Sequence, residues 1–194
     1  MDRVTDILNF WFDDPHRPSS EYGQQRQIWF KKDPTFDATI RQRFLVDYQQ
    51  AAAGQLAPWQ AQPRSCLALL LLLDQFPRNL FRGDPRSFAT DDQALAIAHQ
   101  AINQGFDQAL VPVERLFIYL PLEHSESLAD QNQCVALIEA LHQHSPQFEA
   151  PLDYAYRHQQ VIQRFGRFPH RNQVLGRTTT PEEAAFLKQP GSGF

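Results

Sequence analysis

Residues 164–172, RFGRFPHRN, set three arginines and a histidine around two phenylalanines, with no acid among them. Arginine offers a planar fork of donors that matches carboxylate or phosphate. Histidine changes charge near neutral pH and suits proton transfer. A second stretch, DQFPRNLFRG at 74–83, has the same texture: Phe76-Pro77-Arg78-Asn79 echoes Phe168-Pro169-His170-Arg171-Asn172. The third, FIYLPLEHSES at 117–127, carries Glu123, His124 and Glu126. Glu123 stands four residues after Tyr119 and three after Leu120, so it shares their apolar helical face, with Glu126 one step further. Asp74 follows Leu70 and Leu71 at the same spacings.

These residue types predict an anion pocket. Arg78, Arg82, Arg164, Arg167 and Arg171 would hold a carboxylate or phosphate. Asn79 and Asn172 would add hydrogen bonds, and Asp74 and Glu126 would share the lining. Glu123, His124 and His170 are the acid–base candidates if there is turnover. The competing expectation is a partly buried ion-pair network, because an unpaired buried charge is very costly.

Other chemistries find less support. His142 and His144 are two apart, so on a helix they cannot chelate one ion together. There is no HExxH and no Cys/His ligand spacing, so no metal is expected. Phosphate-cradling glycine loops and GxSxG are also missing. Basic residues beside Phe165 and Phe168 could grip a nucleic-acid backbone. The patch is short and the rest of the chain acidic, so no nucleic-acid partner is expected.

The elements that must position these groups read as helices. Asp33-Pro34 looks like an N-cap followed by proline, and Gly54 like the stop. Thr90 to Gln93 fits a capping box, with a stop at Gly105. Ser127 opens another helix. Thr180-Pro181-Glu182-Glu183 combines three start signals. The expected helices are 3–12, 22–31, 34–53, 63–75, 91–104, 112–125, 128–143 and 149–165, with a short one near 181–189. Pro77 is expected to end the apolar helix, and Pro121 to kink its own. No stretch alternates with period two, so strands are not expected. The fold class is therefore all-α. Antiparallel helix pairs would stack in a tetratricopeptide-like, right-handed array, as one domain over 1–189 with a loose tail at 190–194.

At 194 residues the chain can bury a sizeable core. It is 42% hydrophobic and 21% charged, with a net charge of −4. That balance suits a soluble globular protein and excludes bulk attraction to nucleic acid or anionic membrane. Between Tyr154 and Pro181 there are five arginines and no acid, so this segment is +5 and the remainder −9. Cys66 and Cys134 form no CxxC pair, and free buried thiols suit a reducing cytoplasm. The longest apolar run, CLALLLLL at 66–73, is too short to span a bilayer. MDRVTDILNF lacks the apolar run of a signal peptide.

Together, DQFPRNLFRG, YLPLEHSE, RFGRFPHRNQVLGR, TPEEAAFL and the opening ILNFWF resemble the bacterial domain-of-unknown-function family 924. The resemblance covers nearly the whole chain and implies an all-helical, tetratricopeptide-like fold. It implies no activity. The functional expectation is thus a binding protein or enzyme for a small anionic molecule. The alternative is a tetratricopeptide-like scaffold for an acidic peptide or C-terminus. Substrate, cofactor and oligomeric state are left open.

Overall fold

The structure, a computed structural model, describes residues 2–193. All regular structure among them is helical. The helices are α1 (Arg3–Phe12), α2 (Pro34–Ala52), α3 (Pro63–Leu70), α4 (Phe76–Leu80), α5 (Asp91–Asn103), α6 (Pro112–Glu123), α7 (Leu128–His144), α8 (Glu149–Phe165) and α9 (Pro181–Phe186). Contacts gather the chain into two compact units. The first runs through Arg82 and resumes over Arg86–Pro121; the second takes Gly83–Pro85 and the chain from Leu122 onward.

Helix boundaries follow local chemistry. Asp33 Oδ1 accepts from the backbone N–H groups of Thr35 and Phe36, satisfying donors that α2 cannot use internally. Ser127 Oγ accepts from Asp130 N to open α7. Thr180 and Glu183 cap each other reciprocally at α9. Gly166 ends α8 at φ 68°, a left-handed conformation that glycine adopts without a Cβ clash.

The first unit is built on aromatic rings. Trp29 meets Phe117 edge-on at 4.9 Å and stacks on Trp11 at 6.1 Å. Phe12, Phe44 and Phe76 are also buried. No helix forms over 22–31, where one is expected: only Gln27–Trp29 makes a 3-10 turn. Gly23 takes φ 87°, which breaks helical geometry. Bonds to α1 then direct the segment. Arg26 Nη1 donates to the carbonyls of Phe10 and Trp11, and Trp29 Nε1 donates to Trp11 O. Tertiary hydrogen bonding has overridden a weak local preference.

Pro77 also behaves differently from expectation. The helix begun at α3 does not stop before it. It opens into a π-turn over Leu71–Gln75 and continues as α4, with Pro77 in the first turn. Pro77 has no N–H to give Leu73 O, four residues back. Thr90 Oγ1 donates to that carbonyl instead. Arg78 Nη1 likewise serves Asp74 O. Thr90 is therefore not the side-chain cap of α5 that its spacing suggests. Its hydroxyl is committed to the π-turn.

In the second unit, α7 and α8 pack as an antiparallel pair joined by Ser145–Phe148. Gln159 Nε2 donates to Asn132 Oδ1 across them, and Tyr156 bonds Glu139. Val161, Ile162 and Phe168 form a core cluster, with Phe165 and Phe186 against it. Fully burying a phenylalanine side chain stabilises by roughly 1.5–3 kcal/mol. Phe168 thus ties the loop after α8 to the helical pair. No helix among the described residues is long and apolar enough to cross a membrane.

Candidate functional site

In the first unit, the 74–82 residues lie in the helix and just past it, matched by acids. Arg78 grips Asp91 with two bonds of 3.0 Å, and its Nη1 lies 3.5 Å from Asp74 Oδ1. Asp74 is buried and accepts from Gln75 Nε2 at 2.6 Å. Arg82 forks onto Asp37, and Asn79 Nδ2 donates to the same carboxylate at 2.7 Å. The bonds form two groups within that unit: Arg78 with Asp74 and Asp91, and Arg82 and Asn79 with Asp37.

The second unit gathers residues from the end of α6, from α8 and from the 167–177 loop. Gln131 on α7 donates through Nε2 to Leu122 O, Glu123 O and Ser125 O, capping α6 from the side. The helix therefore stops at Glu123, two residues earlier than its periodicity suggests. Glu123 is 5% exposed, and its Oε1 lies 3.5 Å from His158 Nδ1. Glu126 falls beyond the helix. There it accepts Phe168 N at 2.7 Å and both terminal nitrogens of Arg177.

Arg171 is 7% exposed. Its Nη2 donates to His124 O at 3.0 Å, and its guanidinium lies over the Phe168 ring at 4.7 Å. That stacking holds a planar cation against an aromatic face. His158 meets the same ring edge-on at 5.4 Å, and His170 lies 5.6 Å away. One phenylalanine thus organises Arg171, His158 and His170. Arg171 also donates to the backbone of His124, so sequence-predicted His124, His170 and Arg171 come together in this unit.

Burial sets the electrostatics. His158 is pushed down to about 3, chiefly by burial; its bond to Tyr154 O opposes this, and His124, His170 and Arg171 add to it. His170 is pushed down to about 4 by burial and by Arg171, against the pull of Glu126. Both imidazoles are neutral near pH 7. His158 Nδ1 donates to Tyr154 O at 2.8 Å, which leaves Nε2 as its acceptor.

The remaining sequence candidates are bonded to the acids of α9. Glu183 accepts from Arg167 at 2.6 and 2.9 Å, from Thr180 N at 2.7 Å and from Asn172 Nδ2 at 3.2 Å. Asn172 is fully buried and accepts from Arg177 Nε. Arg164 pairs with Glu182 in solvent. Among the described residues no three His, Cys, Asp or Glu side chains are grouped to hold a metal ion.

Two residues of this cluster are missing from the sequence-based site. His158 carried a readable signal, since it falls on the apolar stripe of Ala155, Val161 and Ile162, where a polar side chain is out of place. Arg177 carried none, because its partner Glu126 is 51 residues away.

Residues 7–191 match the model of a family described as bacterial protein of unknown function, DUF924. No curated protein matches. A solved structure, the protein of unknown function ATU0120 from Agrobacterium tumefaciens, is 40% identical with a TM-score of 0.81. The similarity covers 95% of this chain and 96% of that one. With nearly the whole sequence matched by the family model, the chain belongs to the bacterial DUF924 family.

Proposed function

We propose that the second unit binds a small anionic molecule, carboxylate- or phosphate-bearing, beside Arg171, His124 and His170. One observation carries the reading: the buried guanidinium of Arg171, the buried imidazole of His158 and the half-buried imidazole of His170 converge on the Phe168 ring. Buried arginine forks and imidazoles are suited to anions. The depressed histidines fit as well. A bound anion would lift their proton affinity, so binding would take up protons. His170 at about 4 is a weak base without ligand. With an anion beside it, His170 and Glu123 become a workable acid–base pair.

Stacked antiparallel helix pairs in a tetratricopeptide-like, right-handed array belong to this reading, supported by the α7–α8 pair. So does a cytoplasmic location, supported by two free, buried cysteines. A second reading, a structural ion-pair framework, draws on Arg78, Arg82, Arg164, Arg167 and Arg177, each bonded to a carboxylate.

Thermal melts with inorganic phosphate and with citrate separate the two. A ligand that binds only the native form raises the melting temperature. Under the binding reading one probe raises it in the wild type, more so at about pH 6 than pH 8. Arg171→Lys, which keeps the charge and loses the fork, abolishes the rise. Equal rises in wild type, Arg171→Lys and His170→Gln would favour the framework.

A further inference from the structure

The first unit has a depression of about 450 Å³, where the end of α1, the 13–28 segment and the first turns of α2 meet. Small-molecule sites usually span about 300–1,000 Å³. Part of its lining is apolar. Phe10 and Phe36 stack with centroids 5.2 Å apart and planes within 8°, and Ile28 lines the same hollow.

The charged part of the lining is balanced. Asp13, Arg17, Arg26 and Asp33 all line the depression. Asp13 and Arg17 spend their charges on each other, 2.6 Å apart. Arg26 and Asp33 are used differently. Arg26 gives its Nη1 bonds to two backbone carbonyls, which carry no charge to offset its own. One carboxylate, Glu21, comes within 3.9 Å of it and is largely in solvent. Exposed pairs at such a distance are weak. Asp33 uses only Oδ1 to cap α2; Oδ2 takes neither capping bond.

Asp13 is also tied down by its own bonds. Asp13 sits at φ 76° and ψ 160°, a region that residues other than glycine avoid at a cost of about 1–3 kcal/mol. Its carboxylate accepts from Asp14 N, Glu21 N and Arg17, which fixes the turn.

We infer that this depression binds a small zwitterion with an apolar side group, such as a free amino acid or a peptide end. Its carboxylate meets the Arg26 guanidinium, its ammonium meets Asp33 Oδ2, and its side group lies against the Phe10–Phe36 pair. A lining of zero net charge disfavours a simple anion or cation, whereas a ligand with both charges meets both groups.

Isotope-labelled full-length protein can be titrated with L-phenylalanine, hydrocinnamate and phenethylamine while backbone amide resonances are followed. The expected result is saturable shifts within residues 9–39, with phenylalanine binding at least about tenfold more tightly than either single-charge probe. Asp33→Asn keeps the helix cap, because asparagine caps as well as aspartate, and removes the charge. It should melt like the wild type, yet bind phenylalanine no better than hydrocinnamate. Three outcomes overturn the inference: no saturation by about 20 mM phenylalanine, equal binding of all three probes, or an Asp33→Asn variant that keeps the preference.

Discussion

Glu126 and Arg177 are joined by three hydrogen bonds of 2.7–3.0 Å across 51 residues of sequence. The pair closes the 167–177 loop over the end of α6. Glu126 also accepts Phe168 N, and Arg177 Nη2 donates to Phe168 O, so both clamp the residue that organises the candidate site. Hydrogen bonds to charged groups typically contribute about 1.5–3 kcal/mol. Arg177→Met should therefore destabilise the protein by about 1–2 kcal/mol in urea unfolding. Combined with Glu126→Gln, it should show a coupling of about 1 kcal/mol. Additive losses would mean that the two residues act separately.

Glu183 is held well below its ordinary value of 4.5, to about 2, by Arg167 and by the N–H of Thr180. A carboxyl lowered in the fold stabilises it above the unfolded value and loses that contribution as pH falls. Wild-type stability should thus decline from about 4.5 towards 2. Glu183→Gln should be less stable at neutral pH and should lack this part of the decline. The check is urea unfolding across that range.

His158 has the opposite charge logic and the same direction. It stays neutral in the fold down to about 3, while the unfolded chain binds its proton at 6.5. Between those values the unfolded state holds one more proton, so stability rises with pH, by about 1.4 kcal/mol per unit. Above 6.5 this contribution is flat. His158→Gln keeps a donor for Tyr154 O and removes the titration. Its stability profile should be shallower between about 4 and 6.5. Parallel profiles would show that the imidazole takes up its proton in the fold as readily as in the unfolded chain.

Thr90 supplies the hydrogen bond that Pro77 cannot give to Leu73 O. Thr90→Val keeps the shape and leaves a buried carbonyl short of a donor, which costs about 1–3 kcal/mol. Thr90→Ser should lose much less. Equal losses would assign the effect to the methyl group rather than the hydroxyl.

Much of the helical framework was legible from residue order. Asp33-Pro34, Ser127 and Thr180-Pro181-Glu183 mark starts, and Gly54, Gly105 and Gly166 mark stops; the structure has each of these boundaries within a residue. Such signals act within one helical turn, so adjacent residues carry them. The same holds for the buried placement of Glu123 on its helical face, which follows from a spacing of three and four.

Tertiary packing decided the rest. A helix continues through Pro77 because a threonine thirteen positions later serves its orphaned carbonyl. The expected helix at 22–31 gives way because Arg26 and Trp29 find better partners on α1. Which acid each arginine meets, and that His158 joins His170 at Phe168, depend on segments that are distant in sequence. Spacing along the chain encodes direction on one helix; it carries no record of which other helix lies opposite.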